Sequence, residues 1–370
     1  MAQPFPNHPN LRGGFAPLQM ECDVNDLVIE GEIPKELNGS FYRNGPNPQY
    51  APRGHYHWFG GDGMVHAIHI EDGQVNYRNR WVRTVKWHKE RAAGRSLFSA
   101  FNPMDNDPSV AGLETDGVAN TNIIWHGGKL LALEEGHAPF ELDPHTLESV
   151  GPHRYGGKLK GPMTAHPKID PENGEMLFFG YNANGTISEH MTFSVVDKDG
   201  NLLRSEAFAA PYAAMVHDFI VTRDHVIFPI MPLTGSLERA FEGGPVYAWE
   251  PDKGSHIGIM PRHGSVQDLQ WFYGEASYVF HPMNAHTTDD GKIVCDVCEY
   301  PEAPLFPGVD GKPGDPKKAL AKLARWTFDL NAQTDRYQVE QLHDLVCEFP
   351  RIDERRAGLP YRFGYIAGDT

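Results

Sequence analysis

Three histidines stand beside strand-forming runs and are followed by turn-forming residues: His166 in TAHPKID (164–170), His217 in MVHDF (215–219) and His281 in VFHPMNAH (279–286). They lie 51 and 64 residues apart. That is too wide for one helix or hairpin, and close to one supersecondary unit each. Neutral imidazole is the commonest protein ligand for iron, zinc, copper and nickel, so three that converge describe a metal site with positions open to water, oxygen or substrate. The competing reading of each is a satisfied core or turn histidine. With 19 histidines in the chain, spacing alone does not separate the two.

Other groups of metal-ligand type are weaker. Cys22, Cys295, Cys298 and Cys347 are too few and too scattered for a disulfide scaffold in a chain of 370 residues, and reduced thiols are expected. CDVC at 295–298 has the look of half a zinc site, but there is no second pair, and a strand would turn its two thiols to opposite faces. His55, His57, His66, His69 and His286 form a group in composition only. His66 and His69 differ by three, which on a strand places them on opposite faces, and the whole group reads as structural.

The elements that must carry these residues are short strands. A turn signal followed by an apolar or alternating run returns along the chain: EDGQVNY (71–77), HGGKLLAL (126–133), ENGEMLFFGY (172–181), KDGNLL (198–203) and DDGKIVCDV (289–297). Asn or Asp with Gly supplies the positive φ of tight hairpins. TRDHVIFPIMPL (222–233) repeats the idea without the glycine. Helical periodicity is weak, with PKKALAKLARW (316–326) the best candidate. The 38 glycines and 30 prolines fit many turns and exclude a helical bundle. The chain is thus expected to be all-β, and one histidine per 50–65 residues favours a propeller, whose blades each offer an inner strand to a common axis.

Composition bounds the function class. Apolar residues at 40% and charged ones at 22% describe a globular protein with a sizeable core. A formal charge of −16 argues against a nucleic-acid binder or a general binder of anionic membranes, both of which need a basic face. The N-terminal MAQPFPNHPNLRGGFAPL has neither a basic start nor an apolar core segment, and nowhere do 18 apolar residues run together. A cytoplasmic protein without a spanning segment is expected.

EIPKELNGSFYRNGPNPQY (32–50), HWFGGDGMVHAIHI (57–70), AGRSLF, ANTN, LDPHTLES (142–149), the three histidine segments, CEFPRID (347–353) and YRFGY together resemble the carotenoid cleavage oxygenase family, in family order from about residue 15 onward. The resemblance implies a seven-bladed β-propeller with capping loops over an apolar tunnel. It further implies a non-haem Fe(II) on the axis, held by four histidines, and O₂-dependent cleavage of a carbon–carbon double bond into two carbonyls. Most members act on carotenoids or apocarotenoids, and one branch cleaves stilbenes and propenyl phenols. Carried onto this chain, His166, His217 and His281 match the first three ligands. Glu135 and Glu348 match carboxylates that accept hydrogen bonds from ligand histidines, which fixes the tautomer and raises ligand basicity. Without the resemblance, both would read as surface acids.

Two departures shape the expectation. The fourth histidine and a third supporting glutamate fall in a family segment that this sequence does not contain, so residues 1–370 are expected to form a single propeller domain incomplete at its C-terminus. His343, although 62 residues past His281, does not match the family ligand and is left out of the site. In the aryl-alkene branch a Tyr and a Lys bind the phenol hydroxyl, and the matching positions here are Phe101 and Glu134. Neither replaces the donor it stands for, which favours an apolar carotenoid or apocarotenoid substrate over a phenol. The expected partners are thus a small apolar alkene and O₂, with peripheral membrane contact left open. Two other readings are weighed: a propeller hydrolase, which would normally hold Mg or Ca through oxygen ligands, and a catalytically inactive propeller.

Overall fold

The computed structural model describes residues 3–54, 56–100 and 102–368. Apart from two short α-helices and 3₁₀ turns, its regular elements are strands paired antiparallel, so the fold is all-β and propeller-like. The chain divides into two compact units, Met1–Leu159 and Lys160–Thr370.

The first unit holds two four-stranded sheets. One is ordered Asp23–Val24, Gln74–Trp81, Gly63–Glu71, Gly39–Pro46, and the other Asn122–His126, Lys129–Leu133, Phe140–Leu142, Ser149–Pro152. Their hairpins follow the turn grammar of the sequence. Asp72 and Gly73 take φ of 49° and 80°, and Gly127 and Gly128 take 56° and 74°, the left-handed pair that matches strand twist. Val65, Leu130, Ala132 and Phe140 pack in one apolar cluster between these sheets.

In chain order an α-helix, Val85–Ala93, falls between the two sheets, capped by the Thr84 hydroxyl at its start and by Gly94 at φ 66° at its end. It carries a buried charge cluster. The Lys86 ammonium lies 2.7 Å from Asp62 Oδ1 and 2.9 Å from Glu90 Oε2. Glu90 Oε1 accepts the amides of Leu97 and Phe98 at 2.8 and 3.1 Å, and Asp62 Oδ2 accepts that of Gln49 at 3.1 Å. Burial works against the charge on Lys86, but the two carboxylates outweigh it and hold the ammonium pKa above its ordinary value.

The second unit holds three blade-type sheets in chain order, two of four strands and one of five. The first comprises Lys168–Ile169, Met176–Gly180, His190–Val196 and Leu202–Ala209. The second comprises Ile220–Val221, His225–Ile230, Ser255–Pro261 and Gln270–Gly274, with a two-stranded ribbon, Leu233–Gly235 and Tyr247–Trp249, inserted in its middle. The third has five strands: Tyr278–Thr287, Ile293–Tyr300, Lys322–Phe328, Gln338–Ile352 and Gly364–Gly368. Phe178, Phe179, Phe193, Phe219, Phe228, Trp326 and Phe328 are fully buried.

Two expectations are corrected. Among the described residues there are five blade-type sheets rather than seven, because strands from Asp23 to Gly368 are consumed by five. The expected helix over 316–326 is absent: 316–319 form turns, and Lys322–Phe328 is a strand paired on both sides. Ala324, Trp326 and Phe328 alternate inward along it. A period-two burial pattern thus overrides the helix propensity of its Ala, Leu and Lys residues.

Candidate metal centre

Each of the three histidines sits on or just before the first strand of its sheet in the second unit. His166 precedes Lys168–Ile169, His217 precedes Ile220–Val221, and His281 lies within Tyr278–Thr287. Those first strands are all sheet edges. The strand of His281 breaks register with its neighbour at Val279/Pro282 and again at Pro282/Asn284, and such bulges re-aim a side chain out of the regular pleat.

The imidazoles converge. Nε2 of His166 lies 2.9 Å from Nε2 of His217, which lies 3.2 Å from Nε2 of His281. The ring planes cross at 66°, 82° and 78°. Among the thiols, carboxylates and imidazoles of the described residues, His166, His217 and His281 are the group whose ligand atoms all fall within 4.8 Å of one another. His281 Nδ1 is 2.7 Å from Glu348 Oε2. A carboxylate accepts, so this nitrogen carries the proton, and in the uncharged ring Nε2 presents a lone pair toward His217. Burial first, and then the repulsion that a protonated ring would meet from the groups around it, Lys168 and Arg351 among them, hold the pKa of His166 well below the ordinary histidine value. Uncharged nitrogens facing one another at such distances suit a shared divalent cation of the iron, zinc or copper type.

The backbone around them is pinned by side chains that sequence reasoning did not single out. The buried Thr164 hydroxyl accepts the amide of His166 at 3.1 Å and donates to the carbonyl of His217 at 3.5 Å. Lys168 meets Asp218, next to His217, at 2.7 Å, and Asp218 is buried. These contacts tie the first two histidine segments to each other. The placement of Asp218 next to His217 and of Lys168 two residues after His166 is the signal the sequence carries for the pair. On the third segment, the ring of Phe349 lies over His281 with centroids 5.3 Å apart, and its backbone takes a left-handed φ of 52°.

The remaining expected residues are placed as follows. Glu348 joins the histidines through His281, whereas Glu135 and Glu134 belong to the first unit. Glu135 is half-buried in the loop after Lys129–Leu133. The Glu134 carboxylate hydrogen-bonds His137 Nδ1 and accepts the amide of Gly136 at 2.9 Å. Burial opposes protonation of His137, but Glu134 outweighs it and raises the His137 pKa. Phe101 and His55 lie outside the described residues. His343 is exposed and accepts the amide of Leu345 at 3.0 Å, away from a ligand role. His66 pairs with Tyr77 and His69 with Ser40, each at 2.7 Å, in keeping with their structural reading. All four cysteines are free. No helix among the described residues is long and apolar enough to cross a membrane.

A family model described as "RPE65: Retinal pigment epithelial membrane protein" matches residues 15–370. Isoeugenol monooxygenase of Pseudomonas putida is 45% identical over 366 residues, which is 98% of this chain and 76% of the relative. The crystal structure of Pseudomonas brassicacearum lignostilbene dioxygenase superposes with a TM-score of 0.93 at 40% identity, covering 99% of this chain and 77% of that one. Cobalt-substituted Synechocystis ACO, an apocarotenoid oxygenase, superposes with a TM-score of 0.79 at 30% identity, covering 95% and 76%.

Proposed function

The chain belongs to the carotenoid cleavage oxygenase (RPE65) family, and on that premise we propose an Fe(II)-dependent oxygenase. It uses O₂ to split the carbon–carbon double bond of an aryl alkene, a propenylphenol or a stilbene, into carbonyl products. One alkene and one O₂ give two carbonyl compounds, so the atoms balance without a further reductant. The observation that carries the substrate class is the order of likeness: the chain is more similar to the isoeugenol and lignostilbene oxygenases than to the apocarotenoid oxygenase. The polyene preference drawn from Phe101 and Glu134 becomes the second reading. It still has one support, the want of a phenol-binding Tyr and Lys at those two positions.

Fe(II) would be held through Nε2 of His166, His217 and His281, and when bound it supplies the activation of O₂ beside the alkene. The chain's own contribution is positional. Thr164 and the Lys168–Asp218 pair hold the first two imidazoles in register, and Glu348 orients the third. Glu135 is proposed as the corresponding acceptor for another ligand histidine, on the resemblance alone.

Two measurements test these assignments. Turnover of isoeugenol, a 4-hydroxystilbene and an apocarotenal is compared side by side, with aldehyde products read by mass. Faster cleavage of either phenolic alkene is the expected result, and faster cleavage of the apocarotenal would return the polyene to first place. In the second, Glu348→Gln and Glu135→Gln are each expected to lower metal affinity about 10–100-fold with the fold retained, since an amide accepts but lacks the charge that makes imidazole more basic. Affinities equal to wild type in both variants would leave neither acid a role in supporting a ligand.

A further inference from the structure

We propose that Tyr300 is a positioning residue for the metal centre, acting through Glu348 on His281; the inference rests on the reading of the three histidines as metal ligands. Tyr300 ends the strand Ile293–Tyr300 and is 8% exposed. Its hydroxyl donates to Glu348 Oε1 at 2.9 Å, while Glu348 Oε2 takes His281 Nδ1 at 2.7 Å and also accepts the Phe349 amide. Each oxygen of this carboxylate thus has its own donor. Tyr300, His281 and Glu348 come from three different strands of the five-stranded sheet, so the carboxylate joins strands as well as side chains.

The terminal torsion of a glutamate is broad and two-fold, and it does not by itself fix which oxygen faces a partner or at what angle. A donor held on Oε1 removes that freedom. The Phe349 amide donates to Oε2 and so holds the other side. Tyr300 pairs in the sheet with Tyr278, three residues before His281, and among the described contacts its hydroxyl reaches the imidazole by way of the carboxylate. Its role is therefore to orient Glu348, and through it the ring that presents Nε2.

The alternative is that the hydroxyl only satisfies a buried polar position. The two are separated by a double-mutant cycle on the 370-residue chain, with Co(II) alone as the probe and its ligand-field absorption as the readout. Co(II) is titrated into wild type, Tyr300→Phe, Glu348→Ala and the double variant. Tyr300→Phe is expected to weaken Co(II) binding about 3–10-fold, less than the 10–100-fold typical of a direct outer-shell partner, and to have no further effect once Glu348 is Ala. On the Co(II)-loaded proteins, the paramagnetically shifted Nδ1 proton of His281 should exchange with solvent faster in Tyr300→Phe than in wild type, a change that stability alone does not produce. Equal Co(II) affinities in wild type and Tyr300→Phe overturn the proposal, as does an undiminished loss in the Glu348→Ala background. Should Tyr300→Phe fail to fold, the exchange of that proton in wild type decides: rapid exchange overturns the proposal, and slow exchange supports it. A wild-type chain that binds no Co(II) overturns the metal-centre reading itself, a result distinct from the failure of Tyr300.

Discussion

His217→Ala purified beside wild type is expected to contain no stoichiometric iron and to show no alkene cleavage, while its far-UV circular dichroism is unchanged. Of the three imidazoles, His217 lies between the other two, with its Nε2 2.9 Å from His166 and 3.2 Å from His281. Its removal leaves two donors from sheets that are not sequence neighbours. The set has no carboxylate among its converging atoms, so no anionic ligand compensates for a lost neutral one. His166→Ala and His281→Ala should behave alike. His69→Ala is the control: that ring is bound to Ser40, and its loss should leave iron content unchanged. Wild-type iron content in His217→Ala, by metal analysis, would remove the metal centre from this reading.

The second large effect is on stability. Lys86→Met keeps the length of the side chain but removes the charge that Asp62 and Glu90 share, leaving two buried carboxylates without a cation. Breaking one partner of a buried ion cluster typically costs about 3–5 kcal/mol, which for a unit of this size lowers the thermal midpoint by on the order of 10 °C. The triple variant Lys86→Met/Asp62→Asn/Glu90→Gln should recover part of the loss, because no charge is then left unpaired. A Lys86→Met melting curve within a degree or two of wild type would mean that water reaches the cluster and screens it.

Much of this architecture could be read from local chemistry, and the exceptions are physical. Hairpin turns were visible because they need positive φ, and Asp72-Gly73 and Gly127-Gly128 announce it. The three histidines were visible because a blade repeats its first strand at a spacing that a linear sequence preserves. The helix Val85–Ala93 is hard to read from sequence, although Thr84 and Gly94 are its caps, because its buried side includes Lys86 and Glu90 as well as Trp87 and carries no apolar stripe. The strand Lys322–Phe328 reads as a helix because its Ala, Leu and Lys composition favours one, and the two strands that override it, Ile293–Tyr300 and Gln338–Ile352, are not visible in the segment itself. Tyr300 could not be found from the sequence. Its role depends on Glu348, 48 residues away, and on which oxygen of a carboxylate it meets.

The ribbon inserted in the middle sheet has a consequence for how this chain tolerates change. His225–Ile230 and Ser255–Pro261 pair without a register shift, from His225 opposite Pro261 to Ile230 opposite His256, although the chain leaves the sheet between them to form Leu233–Gly235, a short helix and Tyr247–Trp249. Closing a longer excursion costs little, since the entropy of joining loop ends grows only with the logarithm of length, about 0.6 kcal/mol for each doubling. Lengthening or shortening the 236–246 tip therefore changes the surface at that place while the strands that follow keep their partners. The chain can vary its periphery by insertion and deletion at that tip, a coarse form of change, whereas the ribbon strand Leu233–Gly235 is fixed by its pairing with residues 213–215, just before His217.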